Sequence, residues 1–303
     1  MTAQIIDGKK TAENIREALK SRVAALAAKG IKPGLSVTLV GEDPASKVYV
    51  AAKDKAATEV GINAWTHYLP ATISEGELTE HLLRQNADPA VHGILLQLPL
   101  PGHLPSEKLL DLIAANKDVD GFHPISLGNL MLGRAGFKPC TPWGVQELMR
   151  AYGLSPEGKH VVVVGRSNIV GKPIANILIQ KEPFANATVT VCHTGTPDLA
   201  RYTRQADFLV AAMGKPEVIT GDMVKDGVVI LDVGVNRVKS DKTKSGTKLV
   251  GDVHFESVAP KASWITPVPG GVGPMTIAML LTNTVKSAEM SLAGAKSPAA
   301  VAR

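Results

Sequence analysis

The chain has 303 residues, more than one typical domain holds, so two domains of about 120 to 150 residues are the default expectation. With 45% hydrophobic and 20% charged residues it has the make-up of a globular protein, and an aromatic content of 4% argues against a nucleic-acid stacking platform. The net charge of +5 suits an anionic ligand, but the lysines are spread along the chain and form no basic stripe, so solubility alone also accounts for it.

Residues 1–10 contain no apolar signal region, and no run reaches the roughly 20 residues that span a bilayer, so a cytoplasmic protein without a membrane partner is expected. Ala12, Ile15, Leu19, Val23 and Leu26 then recur at three- and four-residue steps before Gly30, predicting an amphipathic helix over 11–29. Leu35 to Val40 reads as a strand, and a turn through Pro44 leads into a helix that runs to Val60 with Gly61 as a left-handed cap. On that helix Tyr49 and Lys53 are stacked neighbours, with Ser46 on the same side. A phenol and an amine thus share one face at the mouth of a strand-to-helix turn, where open α/β sheets bind ligands. The alternative is a solvated face with Tyr49 packed beneath it.

Ala64 to Leu69 is a weaker strand, and Ser74 with Glu77 forms a capping box opening a helix to about Asn86. The continuous apolar run from Gly93 to Leu98 predicts a strand buried on both faces. Gln97 is the polar exception in it, and Pro99 and Pro101 end the strand just beyond, so Gln97 lies near a carboxyl end, where sites form. A short helix over Ser106 to Ala115 precedes a polar loop with Asp118 and Asp120 beside Gly121; either carboxylate could instead cap a turn.

Thr141 followed by Pro142 reads as the N-cap and first residue of a helix that ends at Gly153, and the boundary between domains 1–140 and 141–274 is placed here. A second alternating series follows, with strands over 159–164, 188–192, 207–212 and 228–233 and helices over 171–181 and 197–204. The expected fold class is therefore α/β: two domains with mostly parallel sheets flanking a cleft, the second Rossmann-like. Its first strand runs through Val161 to Val164 into Gly165, Arg166, Ser167 and Gly171, a strand, tight turn and helix able to hold a pyrophosphate. The spacing departs from the standard fingerprint, with Ser167 at the third position and the last glycine one residue late. A turn that needs glycine only for sterics is the alternative.

The next strand ends at Cys192, His193 and Thr194, with no carboxylate to accept a ribose 2'-hydroxyl, while Arg166 lies in the turn. That combination suits the 2'-phosphate of NADP better than NAD. Gly234 and Val235 follow a buried strand and can approach a nicotinamide or its ribose. Pro267, Pro269, Gly270, Gly271 and Gly273 make a rigid loop before a final helix over about Met275 to Ser287. Residues 239–248 read as an exposed Lys-rich excursion and 291–303 as a frayed tail. Cys140 and Cys192 have no metal-ligand spacing and fit a reducing compartment, so no metal is expected.

Four stretches together resemble the bifunctional methylenetetrahydrofolate dehydrogenase/methenyltetrahydrofolate cyclohydrolases: Tyr49 to Lys53; Gly93 to Pro101 with Lys117 to Gly121; Gly165 to Pro173; and Pro267 to Thr276. The resemblance implies NADP-dependent oxidation of 5,10-methylenetetrahydrofolate, then hydrolysis of the methenyl product to 10-formyltetrahydrofolate. It implies Lys53 as the general acid/base of the hydrolysis, Tyr49 stacked on the folate, Gln97 holding Lys53 and Asp120 binding the pterin edge. Leu96, Leu98 and Pro269, Gly270, Gly271, Val272 and Gly273 would line the folate, and Gly165, Arg166, Ser167, Thr194 and Val235 the NADP. It further implies a homodimer, with the last helix, 275–290, folded back on the N-terminal domain. A lysine titrates near 10.4, so a base at neutral pH requires a fall of roughly three pH units, about 4 kcal/mol, which desolvation beside a cationic methenyl group can supply. A member with one activity, or a catalytically silent dinucleotide-binding regulator, are the competing readings.

Overall fold

The computed structural model describes residues 3–241, 243 and 246–295. They form two compact units. One takes residues 3–13, Leu130–Arg134 and Pro139–Thr276; the other takes Asn14–Asn129, Ala135–Lys138 and residues 277–295. We call them the six-stranded and the three-stranded unit after their main sheets.

The chain opens with β1 (Gln4–Ile5), part of the six-stranded unit, and the helix Gly8–Ala27. The strands β2 (Gly34–Val40), β3 (Asn63–Leu69) and β4 (Gly93–Leu96) make a parallel sheet in the order β3-β2-β4. Central β2 is buried at every residue, its Ser36 and Thr38 included, and so is the apolar run of β4, whose outer side the Ile94–Asp118 bridge covers, whereas β3 at the other edge is only partly covered. The helix Pro44–Val60 starts on the Asp43 carboxylate, which accepts from the Ser46 backbone, and stops at Gly61, whose φ of 92° is the left-handed cap. The Ser74/Glu77 capping box opens Glu75–Ala87. Beneath the sheet Leu78, Leu82, Ile94, Leu96 and Leu109 form the core.

Residues 277–295 close this unit as the end of the helix Val272–Ala295. Asn283 Nδ2 donates to the carbonyls of Val119 and Lys138, Ser287 Oγ to those of His92 and Asn116, and Arg22 pairs with Glu289 through two nitrogens. These side-chain ties to loop carbonyls, not apolar packing alone, fix the helix to its unit.

In the other unit β5 (His160–Val164), β6 (Thr188–Cys192), β7 (Phe208–Ala211) and β8 (Val229–Asp232) are followed by an antiparallel hairpin, β9 (Asn236–Lys239) with β10 (Thr247–Val250), and by β11 (Trp264–Ile265). The sheet order is β1-β11-β8-β7-β5-β6, every neighbouring pair parallel. The valines 161–164 are at most 2% exposed, which is why four in a row suit the middle of this sheet.

Several boundaries differ from the sequence reading. Residues 3–13 lie in the six-stranded unit because β1 pairs with β11, Gln4 opposite Trp264 and Ile5 opposite Ile265. Two residues give no periodicity to read. The helix expected over Ser106 to Ala115 stops at Leu110, that expected over 171–181 stops at Leu178, and an additional helix spans Pro124–Met131. Thr141 is not an N-cap: the helix begins at Cys140, and the Thr141 hydroxyl instead meets that of Thr276 at 2.8 Å. The Lys-rich excursion is bounded by the β9–β10 hairpin. The supposed tail is helical through Ala295, and its remainder, 296–303, lies outside the described residues. No helix among the described residues is long and apolar enough to cross a membrane, and no group of three or more metal-ligating side chains occurs among them.

Candidate functional site

Within the three-stranded unit the helix Pro44–Val60 follows β2 directly, so its first turns stand at the carboxyl end of the sheet. Ser46 and Lys53 turn inward, 4% and 6% exposed, while Tyr49 between them is 38% exposed. Partial burial pushes the Tyr49 phenol above its ordinary value. Lys53 Nζ donates to Gln97 Oε1 at 2.9 Å. Gln97 is held on both sides: its backbone N–H donates to Thr38 at 2.9 Å, continuing the β4–β2 ladder, and Nε2 donates to its neighbour Leu98 carbonyl at 2.6 Å. The amide nitrogen is thereby committed, which leaves the oxygen aimed at the amine.

The loop after residue 116 is organised by a carboxylate. Buried Asp118 accepts from the backbone N–H groups of Gly121, Phe122 and His123 and from Ser126 Oγ, all between 2.7 and 3.1 Å. Asp118 is thus the turn-former that the sequence reading kept as an alternative. Half-buried Asp120 rides on that turn. A bridge between Ile94 and Asp118 lays the loop parallel to β4, so it leads toward the strand end that carries Gln97. Leu96 is 2% exposed and belongs to the core, while Leu98 is half-buried.

The six-stranded unit builds its turn from close-packed backbone and one side-chain hydroxyl. Gly165, at φ 136°, receives the Ala212 carbonyl so closely that a Cβ would lie 2.2 Å from it. A Cβ on Gly171 would lie 2.2 Å from the Gly165 carbonyl oxygen. Ser167 Oγ accepts from Val170 N–H at 3.1 Å and Gly171 N–H at 3.3 Å, closing the turn at the start of the helix Gly171–Leu178. Those two N–H groups are therefore already engaged. Arg166 is exposed and makes no ion pair with any described residue.

Val164 stands opposite Cys192, so the Gly165 turn and the loop carrying Thr194 leave adjacent strands at the same level. That loop is shaped by His193, whose N–H donates to Thr196 Oγ1 and whose Nδ1 accepts from Gly195 N–H, with Thr194 exposed at its tip. Val235 is 46% exposed just past β8. In the Pro267 to Gly273 loop Gly270 has φ 107°, and its carbonyl accepts from Lys9 N–H at 3.0 Å. Pro269 is exposed, Gly271 and Val272 are buried, and Gly273 is half-buried. Glycine-only gaps, a guanidinium with no ion pair among the described residues and an exposed hydroxyl on neighbouring loops fit a phosphorylated dinucleotide.

A family model described as tetrahydrofolate dehydrogenase/cyclohydrolase, catalytic domain, matches residues 6–120, and one described as tetrahydrofolate dehydrogenase/cyclohydrolase, NAD(P)-binding domain, matches residues 139–292. The chain belongs to the tetrahydrofolate dehydrogenase/cyclohydrolase family. It is 58% identical to the bifunctional protein FolD of Moorella thermoacetica over 288 residues, 95% of this chain and 99% of that one. The crystal structure of the bifunctional enzyme FolD, methylenetetrahydrofolate dehydrogenase/cyclohydrolase, from Campylobacter jejuni matches with a TM-score of 0.90 and 51% identity, covering 95% of this chain and 99% of that one. The Trypanosoma brucei methylenetetrahydrofolate dehydrogenase-cyclohydrolase, solved with NADP cofactor and an inhibitor, matches with a TM-score of 0.91 and 39% identity, covering 96% and 99%. The family has two α/β domains, the second binding NAD(P), as the alternating strands and helices led one to expect.

Two carboxylates escaped the sequence reading. Asp232 and Asp252 are buried beside Gly234, twenty residues apart in the chain and joined by the β9–β10 hairpin. A local signal existed in the glycines next to them, Gly234 and Gly251, whose missing side chains make room for the two carboxylates.

Proposed function

We propose that this chain carries out both family reactions: NADP-dependent oxidation of 5,10-methylenetetrahydrofolate to 5,10-methenyltetrahydrofolate, and hydrolysis of that product to 10-formyltetrahydrofolate. The observation that carries the reading is the buried Lys53 amine, hydrogen-bonded to Gln97, in a chain that also keeps the glycine turn at 165–171. Loss of either would favour a member with one activity. A silent regulator would need neither.

NADP, when bound, supplies the hydride acceptor of the oxidation. The chain's own part in that step is positioning, with Gly165, Arg166, Ser167, Thr194 and Val235 assigned to the cofactor and Arg166 to its 2'-phosphate. Pro269, Gly270, Gly271, Val272 and Gly273 are assigned to the folate, together with Leu96, Leu98 and Asp120, the last at the pterin edge, and Tyr49 is the ring that stacks on it. Attack of water on the methenyl carbon releases a proton, which Lys53 Nζ takes; rupture of the bond to the departing nitrogen returns one. Gln97 is an uncharged partner, so it fixes the direction of the amine without adding an opposite charge.

We assign the chain to the cytoplasm and to a homodimer, in line with the two buried cysteines, which fit a reducing compartment, and with the family resemblance. Spectrophotometry that follows NADPH and the methenyl product separately tests the function. Both signals should respond to methylenetetrahydrofolate with NADP, and the methenyl band should then decay; a flat NADPH trace or a persistent band rejects the corresponding activity.

A further inference from the structure

Asp252 is fully buried, and every partner of its carboxylate is a donor. Oδ2 accepts from the backbone N–H groups of Met213 at 2.5 Å and Gly214 at 2.9 Å; Oδ1 accepts from Lys215 N–H at 3.0 Å and Asn236 Nδ2 at 2.8 Å. Asp232, 3% exposed, holds the backbone on which Asp252 sits: its carboxylate accepts from Gly234 N–H and Asp252 N–H, each at 3.0 Å, and Val253 N–H at 2.9 Å. A Cβ on Gly234 would fall 2.2 Å from Asp252 Oδ1, and one on Gly251 would fall 1.8 Å from Asp232 Oδ2, so the backbone closes around both acids with no room for a side chain.

The segments tied by Asp252 are the loops that follow β7 and β8. In the sheet order β7 stands beside β5, whose end carries the Gly165 turn, and β8 stands on the far side of β7, all three running parallel. Two buried carboxylates are costly, and the hydrogen bonds they accept come from residues outside β7 and β8. What they determine is where the backbone goes once it leaves those strands, at the sheet edge where open α/β folds bind ligands.

We infer that Asp252, set in place by Asp232, is a positioning residue for NADP: it shapes the 213–215 loop and the turn carrying Val235 and Asn236 without itself touching the cofactor. This rests on the reading that the six-stranded unit binds NADP.

The test is Asp252→Asn, which keeps the shape but aims an NH2 at groups that are themselves donors. An unmet donor pair of this kind predicts an NADP Kd, by calorimetry, raised about tenfold. Faster amide exchange at residues 213–215 should accompany it. The NADP KM should follow the Kd with kcat within about twofold, and methenyl hydrolysis measured without NADP should also stay within about twofold of wild type. A folded variant with wild-type NADP Kd overturns the inference, and so does one in which hydrolysis falls in step with NADP affinity. If Asp252→Asn does not fold, Asn236→Ala, which removes one donor of four, should raise the Kd about threefold, and an unchanged Kd overturns the inference. A wild-type chain that does not bind NADP refutes instead the function on which it rests.

Discussion

Lys53 and Gln97 meet through two side chains at 2.9 Å, whereas the Gly165 turn is shaped by atoms that glycine lacks, with Cβ positions at 165 and 171 falling 2.2 Å from carbonyl oxygens. The first arrangement supplies a group that can take and return a proton; the second offers backbone that lets a ligand come close. The difference teaches how each should fail. The three-stranded unit should lose its chemistry when a functional group is removed, and the six-stranded unit when a methyl group is added.

The largest expected effect is that of Lys53→Met. If Lys53 is the proton acceptor proposed above, methenyl hydrolysis should fall about 1000-fold or more, a loss typical of a deleted general acid/base, while the NADP Kd stays within about twofold. Stopped-flow decay of the methenyl band measures the first quantity and calorimetry the second; retained hydrolysis would break the comparison. Next in size is Gly171→Ala, whose Cβ would press on the Gly165 carbonyl and on Arg166 N at 2.7 Å. Backbone cannot yield there as a flexible side chain can, so the NADP Kd should rise about 100-fold and stability fall by about 1 to 3 kcal/mol. Methenyl hydrolysis without NADP should be spared, and an unaffected Kd would show the turn to be steric only. Arg166→Ala should act more gently, lowering the preference for NADP over NAD about tenfold through loss of one charge-assisted contact. Equal losses for both dinucleotides would remove Arg166 from the 2'-phosphate.

The smallest effect sharpens the contrast through pH. In the three-stranded unit His67 and His81 pack edge to face, and His92 Nδ1 accepts from Gly34 N–H; burial is the main force holding all three below the ordinary histidine value. A histidine with a lowered folded pKa contributes stability that is complete above the unfolded value of 6.5 and drains away as pH falls beneath it. In the six-stranded unit burial, aided by the Asp252 charge, pushes Asp232 from 3.8 up to about 7 against three backbone donors. Its contribution has the opposite sign, complete below 3.8 and lost as pH rises to about 7. Going from pH 7 to pH 5.5 should therefore reduce amide-exchange protection in β2 and β4 relative to β7 and β8, once intrinsic exchange rates are corrected. Equal changes in both sheets would contradict this balance.

Helices that announce themselves by spacing or caps were legible in the sequence. Gly61 and the Ser74/Glu77 box stand where they were expected, and Ala12, Leu19, Val23 and Leu26 are buried on one face. The apolar runs of β4 and β5 were equally clear, because a strand buried on both faces favours unbroken apolar residues. The pairing of Lys53 with Gln97 was suggested by the family resemblance and has a plain geometric basis, a helix and a strand end rising from one sheet. What stayed hidden depends on partners far apart in sequence. β1 has two residues and exists only because β11 receives it, the Thr141 hydroxyl turns from a cap to Thr276, and Asp252 meets the 213–215 loop some 37 to 39 residues earlier. Asp118, in the loop with Gly121, is the turn-former that its sequence allows, whereas Asp232 and Asp252, which the sequence does not single out, are buried anchors. Periodicity carries no information about such contacts.

The most direct test of the division between a side-chain site and a backbone site is a crossed measurement on Lys53→Met and Gly171→Ala, taking methenyl hydrolysis without NADP and NADP Kd from the same preparations. The account predicts that the first variant loses hydrolysis and keeps the Kd, and that the second keeps hydrolysis and loses the Kd. Variants that lose both properties together, or a Lys53→Met protein that still hydrolyses at the wild-type rate, would contradict it.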